Sequence, residues 1–314
     1  MFLKIYTGGV SVCIDTYSNE FESKFISPVL TILENIPNTV SLEVTTRCQL
    51  DCVYCNRDKD KIRDLRLEDV SSILNHLTGV ENIVICGMGE SFCYPHIYDL
   101  LESLKDYKIT IITNGAMKID FDRLEKCSNV NLLVFSIDAT EQEKLKKICR
   151  GYRYEKLIEN LRELKRHSKI IGVINATLVS DNIAEVSDIV RFAKENDLQA
   201  VNFGLPIGNQ EFIENNCEEI RKNIRLGMEE AKRVGVIFNP FYRISCHTKK
   251  RIQPVITIGG EFYACCNLIN HNDSIGNIFE SDICDIWSKA IEKIKNNNEC
   301  CSCELVKNMW KVMG

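Results

Sequence analysis

Between residues 41 and 205, short apolar runs alternate with amphipathic stretches, and this alternation limits the possible folds more than any other feature of the chain. The candidate strands are 41–46 (SLEVTT), 82–87 (NIVICG), 108–113 (KITIIT), 131–137 (NLLVFSI), 171–179 (IGVINATLV) and 200–205 (AVNFGL). Most are rich in Val, Ile and Leu, as strands buried on both faces must be. Helical spacing runs over 67–77, 154–167 and 183–196, with Asp181 or Asn182 placed as the N-cap of the last. Strand–helix alternation on this scale means an α/β fold, with a parallel sheet and right-handed crossovers. Periodicity alone leaves both an open doubly wound sheet and a barrel possible.

After Pro206 the pattern changes. A helix is expected over about 215–234. Residues 254–266 (PVITIGGEFYACC) read as two short strands around a Gly-Gly turn, and a helix over 283–297 leads into the terminal ECCSCE. The expected organisation is an N-terminal extension at 1–40 with a strand pair and a short helix, a main domain at 41–240 and a small domain at 241–314. There is no internal repeat and no low-complexity linker. A net charge of −5 gives no basic footprint for nucleic acid. The first residues lack the apolar run of a signal peptide, and no segment is long and apolar enough to cross a membrane. The chain is therefore read as cytoplasmic, with no membrane partner.

Sixteen cysteines are many for 314 residues. In a reducing compartment, clustered cysteines serve as metal ligands or redox groups more often than as disulfides. Cys48, Cys52 and Cys55 share one short loop. A second group runs from Cys246 through Cys265, Cys266 and Cys284 to Cys300, Cys301 and Cys303. Cys13, Cys86, Cys93, Cys127, Cys149 and Cys217 are scattered and read as small buried hydrophobes. Three thiolates on one loop leave a metal site one ligand short, because structural zinc and all-cysteine iron–sulfur clusters take four. In parallel α/β folds, ligands bind at the carboxyl ends of strands. Polar residues fall at those ends here. Thr46 leads into the cysteine loop; Gly87, Gly89 and Glu90 end the second strand; Thr113, Asn114 and Gly115 end the third; Ser136 and Asp138 end the fourth; Arg150-Gly151 follows a short helix.

With these clusters in register, the chain resembles the radical S-adenosylmethionine (SAM) superfamily. Its Cys-x3-Cys-x2-Cys signature, following the first strand of a partial (β/α)6 TIM-like barrel, matches 48–55, including Tyr54 before the last cysteine. The resemblance covers about 41–205. It implies that the three cysteines hold three irons of a [4Fe–4S] cluster whose fourth iron is left open for SAM. It also implies that Gly87, Gly89 and Glu90 contact the SAM amino group, although Met88 and Ser91 depart from the usual Gly-Gly-Glu-Pro pattern. Asn114 is counted with them as a SAM-binding position. Ser136 and Asp138 match ribose-contacting positions, Arg150 a carboxylate contact, and Tyr54 a neighbour of the adenine. Gln49 stands where asparagine is common.

Cys246, Cys265, Cys300 and Cys303 are enough for one complete site, and spacing alone fits a structural zinc or a [4Fe–4S] cluster. Cys-x13-Gly-x4-Cys followed by CxxC resembles the SPASM/twitch extension. With no cysteine beyond Cys303, the shorter twitch form is implied, with one auxiliary [4Fe–4S] cluster. Cys266, Cys284 and Cys301 are alternate ligands.

The function implied by the resemblance is reductive cleavage of SAM to a 5′-deoxyadenosyl radical, which takes hydrogen from a substrate. A reducing partner such as flavodoxin or ferredoxin would supply the electron, and the auxiliary cluster would accept one from the substrate radical. A ribosomally made peptide is the expected substrate. The alternative is a small-molecule alcohol or aminocyclitol, oxidised or epimerised, and Cys149 is a candidate hydrogen donor for epimerisation. A different class is a non-catalytic iron–sulfur or zinc scaffold or sensor, which would hold metal without cleaving SAM.

Overall fold

The computed structural model describes residues 3–7, 10–14, 31–32, 37–240, 251–265, 273–296 and 303–313. Seven parallel strands make the body of one sheet: β1 (Thr39–Glu43), β2 (Asn82–Cys86), β3 (Lys108–Thr113), β4 (Val130–Ser136), β5 (Ile171–Thr177), β6 (Ala200–Gly204) and β7 (Ile237–Pro240). They pair in chain order, the arrangement of a partial TIM-like barrel. β2 to β6 match the expected strands to within two residues, and β1 begins two residues before and ends three residues before the expected 41–46. The seventh was not foreseen, because IFNP combines too few apolar residues with a terminal proline.

Helices α1 (Leu67–Asn75), α2 (Ile97–Ser103), α3 (Phe121–Lys126), α4 (Gln142–Ile148), α5 (Tyr154–Leu164), α6 (Val186–Glu195) and α7 (Gln210–Val234) connect the strands. Their apolar stripes face the sheet: α5 buries Leu157, Leu161 and Leu164, and α6 buries Val186, Ile189, Val190 and Ala193. The contact is close enough at Gly172 that a Cβ would lie 2.5 Å from Leu198 and 2.6 Å from Leu164. Helix α7 starts earlier than expected because Asn209 caps it, accepting from the Phe212 amide at 3.2 Å. Asn182, expected as an N-cap, makes no capping bond. Its amide group instead donates to the carbonyls of Asp138 and Thr177, both at 2.8 Å, and clamps the loop after β5 to the loop after β4.

Beyond residue 250 the expected hairpin forms as β8 (Val255–Ile256) and β9 (Glu261–Tyr263), with Gly260 at φ 82° in the turn. A further strand, β10 (Gly276–Asn277), pairs with β9. The hairpin extends the main sheet, since Val255 and Ile256 pair in parallel with Ser41 and Leu42 of β1. Helix α8 (Ile283–Asn296) packs Trp287 edge-on against Phe262, and α9 (Glu304–Met313) lies on α7. In the N-terminal region, Leu3–Thr7 and Val10–Ile14 form an antiparallel pair. No helix among the described residues is long and apolar enough to cross a membrane.

Candidate functional site

The cysteine loop leaves the carboxyl end of β1 and is fastened on three sides. Thr46 hydroxyl accepts from the Arg63 amide at 2.8 Å and donates to the Lys61 carbonyl at 2.9 Å. The Glu90 amide donates to the Arg47 carbonyl at 2.7 Å. Asp51 and Cys52 pair antiparallel with Arg150 and Cys149, a two-residue ladder that ties the loop to the segment after α4. Cys48, Cys52 and Cys55 are all half-buried. Among the described residues no three metal-binding side chains converge on a single ion. A cluster that takes each thiolate on a different iron does not require that convergence.

The thiols differ in their surroundings. Burial pushes the Cys48 thiol up to about 11, so forming its thiolate needs a compensating positive charge such as iron. The Leu50 amide already points at its sulfur, at 3.4 Å, and the Asn114 side-chain amide lies 3.8 Å away. For Cys52, a hydrogen bond from the Cys149 thiol outweighs burial and holds the group below the ordinary cysteine value. A cavity of about 560 Å³ opens beside this loop, lined in part by Cys48, Gln49, Arg47, Arg57, Cys93 and Met117. That volume lies in the range of small-molecule sites.

Several expected site residues occupy unforeseen positions. Glu90 does not face the cavity. It is 2% exposed, and its carboxylate accepts from the Phe92 amide at 3.0 Å, the Thr113 hydroxyl at 2.6 Å and the Asn114 amide at 2.6 Å. With three donors supplied by the chain, Glu90 anchors the β3 turn to the β2 loop. Asp138 is likewise buried. It accepts from Tyr54 hydroxyl at 2.5 Å and the Thr177 amide at 2.7 Å, with the Cys149 sulfur 3.5 Å away. Tyr54 and Asp138 therefore brace each other behind the loop. Cys149 is 3% exposed and lies between Cys52 and Asp138. A hydrogen donor to substrate needs an open face that this thiol lacks among the described residues. Arg150 is on the surface, 3.6 Å from Asp51.

Gly87 and Gly89 stand where a Cβ would not fit. A Cβ on Gly89 would lie 2.3 Å from the Thr45 carbonyl oxygen and 2.6 Å from that of Arg47, so the β2 loop meets the cysteine loop backbone to backbone. Gly87 has φ 147° and rests on Glu43. Asn114 accepts from Gln49 at 2.9 Å, and Ser136 stays half-buried at the end of β4.

Gln49, noted in the sequence only as a replacement for asparagine, links Asn114 to the Cys93 thiol. Tyr152, which no sequence signal marks, donates its hydroxyl to the Asn114 carbonyl. Asn160 was missed too; it ties down the turn after β3 through Gly115, Met117 and Ile119. Of the second cysteine group, Cys265 follows β9 and Cys303 immediately precedes α9. Cys284 lies near the start of α8 beside the Thr78 carbonyl, at the end of the sheet opposite the cysteine loop. Cys246, Cys266, Cys300 and Cys301 lie outside the described residues.

Residues 42–193 match the family model of the Radical SAM superfamily. The chain is 27% identical over 165 residues to a probable GTP 3′,8-cyclase of Methanocaldococcus jannaschii, covering 50% of this chain and 55% of that one. It is 26% identical over 191 residues to a GTP 3′,8-cyclase of Lactiplantibacillus plantarum, covering 56% and 57%. The chain thus spans about half the length of the curated relatives it matches. Among solved structures, Streptococcus suis SuiB bound to S-adenosylmethionine superposes with a TM-score of 0.68 at 20% identity, covering 87% of this chain and 72% of that one. The enzyme anSMEcpe with bound AdoMet gives 0.66 at 19% identity, covering 86% and 88%. At such identities the structural matches show a shared fold. The cysteine loop at the mouth of β1, the parallel strands in chain order and the match over residues 42–193 place this chain in the radical SAM superfamily.

Proposed function

We propose that the chain is a radical SAM enzyme that modifies a ribosomally made peptide. The observation that carries the first part is the three-cysteine loop held at the carboxyl end of β1 beside a cavity that Cys48 lines. Cys48, Cys52 and Cys55 would hold three irons of a [4Fe–4S] cluster. When bound, the cluster supplies the electron that breaks the C5′–S bond of SAM and so starts hydrogen abstraction from substrate.

The protein's own part is positioning and shielding. Asn114 and Gln49 fix the side of the loop carrying Cys48, and Cys149, Asp138 and Tyr54 back Cys52. Gly89 lets the β2 loop approach closely enough to close the site on one side. Support for a peptide comes from the fold shared with SuiB, solved bound to precursor peptide SuiA, and with anSMEcpe, solved with a Cp18Cys peptide. An auxiliary [4Fe–4S] cluster on Cys246, Cys265, Cys300 and Cys303 completes the proposal, with a flavodoxin or ferredoxin as reductant.

The test is iron and zinc per chain after anaerobic reconstitution, with 5′-deoxyadenosine measured on reduction in the presence of SAM. The wild type and a variant with Cys48, Cys52 and Cys55 all changed to Ala are compared. About eight irons falling to about four, with 5′-deoxyadenosine lost, is the expected result. About four irons with one zinc would make the C-terminal site structural. An intact cluster that forms no 5′-deoxyadenosine would favour a non-catalytic metal protein instead.

A further inference from the structure

The register of the sheet lays one polar row across four neighbouring strands. Ser136 of β4 is the cross-strand partner of Asn175 of β5, Asn175 of Asn202 of β6, and Asn202 of Asn239 of β7. Cross-strand partners point to the same face. The chain neighbours of three of them fix which face that is: Phe135 precedes Ser136, Phe203 follows Asn202 and Phe238 precedes Asn239. Phe135 lies towards the helices, because its ring is 3.0 Å from where a Gly115 Cβ would stand, next to Leu157 of α5. Phe203 and Phe238 pack on each other at 5.4 Å, and Phe238 lies 2.9 Å from where a Cβ on Gly227 of α7 would stand. Alternation then turns Ser136, Asn202 and Asn239 into the barrel, and Asn175 with them. Asparagine is depleted in strands because it does not pack well on a pleated surface. Three in one row, facing inward, have no packing reason to be there. Asn175 is also incompletely paired: its Oδ1 is buried and has no hydrogen-bond partner among the described residues.

We propose that Asn175 and Asn202 read the substrate, and that the group they read is the amide of a peptide backbone. This rests on the reading above that the chain is a radical SAM enzyme acting on a peptide. A carboxamide both donates and accepts, so it pairs reciprocally with another amide. Neighbouring strands lie about 4.8 Å apart, so the row from Asn175 to Asn239 spans on the order of 10 Å, close to the rise of three extended residues. The same row suits a polyphosphate poorly. Ser136, Asn175, Asn202 and Asn239 carry no charge, and the ionisable residue that ends β1 is the carboxylate of Glu43. A bound phosphate chain needs cations or a run of backbone donors. This row thus differs in chemistry from what a triphosphate needs, although the cyclases named above match the chain over about half its length.

The experiment uses the full chain, reconstituted anaerobically and loaded with SAM. Saturation-transfer NMR is recorded with N-acetyl-alanine-N-methylamide and, separately, with GTP as probes. The expected result is transfer to the blocked alanine, reduced at least fivefold in both Asn202→Leu and Asn175→Leu, and none to GTP. Asn202→Asp keeps the size of the side chain and removes its donor, so it should weaken transfer even if a leucine variant fails to fold. Transfer to GTP with none to the blocked alanine would overturn the proposal, as would undiminished transfer to the alanine probe in Asn202→Asp. Reductive 5′-deoxyadenosine formation by the same wild-type sample is read in parallel. Its absence from an iron-replete sample sinks the radical reading, whereas the NMR comparison decides the asparagine row by itself.

Discussion

Replacing Glu90 with Gln changes one atom in a nearly fully buried hub. Three donors converge on the carboxylate: the amides of Phe92 and Asn114 and the hydroxyl of Thr113. The amide variant has one oxygen and one NH2 group, so whichever way it turns, a donor meets a donor. If its oxygen serves Phe92 and Thr113, the Asn114 amide loses a bond of about 1.5–3 kcal/mol and is left facing an NH2. In the other orientation the Phe92 amide is orphaned, while Thr113 can rotate to accept. Relief of the carboxylate's desolvation offsets part of this, leaving a net cost of about 2–4 kcal/mol at pH 7. For a domain of this size that lowers Tm by roughly 4–10 °C. The loss has a direction. The Asn114 side chain lies against Gln49 and Cys48, so iron bound at the cysteine loop should be lost to a chelator faster than in the wild type. Burial pushes the Glu90 carboxyl above the usual range, so the folded chain holds that proton more tightly than the unfolded chain does. Its contribution to stability is complete below the ordinary glutamate value and is lost as pH rises through the raised folded value. The amide cannot titrate, so the gap between wild type and Glu90→Gln should narrow as pH rises through that window. Denaturant unfolding from mildly acid to neutral pH, with chelator-release kinetics, measures both effects. A cost below about 0.5 kcal/mol with unchanged iron release would refute the hub.

Three further substitutions test neighbouring parts of the site. Gly89→Ala must move the β2 loop by about 1 Å to clear the Thr45 carbonyl, straining the Glu90–Arg47 bond. A cost of about 2–3 kcal/mol is expected in denaturant unfolding, with weakened SAM binding by calorimetry. Asn160→Ala frees the Ile119 amide and the carbonyls of Gly115 and Met117. It should cost on the order of 3 kcal/mol, with amide exchange rising first over 115–119. Asp138→Asn leaves one of its donors facing an NH2 group, and iron retention should fall. Burial raises the Asp138 carboxyl, so its stabilising contribution is present at acid pH and lost as pH rises through the folded value. The difference between wild type and this variant should therefore narrow with rising pH, as unfolding at pH 5 and pH 8 would show.

The strands were legible because a strand buried on both faces must spell itself in Val, Ile and Leu, and six runs did so. The cysteine loop was legible because three thiolates within eight residues have few other uses. β7 was hidden because Asn239 and Pro240 break the apolar run of a four-residue strand, and only pairing with β6 makes it one. The edge role of the hairpin was hidden for a related reason. Pairing between Val255 and Ser41 joins residues far apart in the chain, and no local pattern encodes that contact.

The orientation of these side chains is not written in the sequence, for a deeper reason. Position at a strand end says that Glu90 and Asp138 lie near the site, but not which way a carboxylate turns. That depends on how many donors the surrounding backbone offers. At Glu90, the turns after β2 and β3 present two amides and a hydroxyl, and the carboxylate turns inward to satisfy them. At Asp138, the Thr177 amide from the next strand and the Tyr54 hydroxyl from the cysteine loop do the same. Both acids thus serve the site through the loops they hold. The groups left for a ligand are those with fewer internal partners. Asn175 is one, and its place in mid-strand, where asparagine is unfavourable, was the signal in the sequence that could have found it.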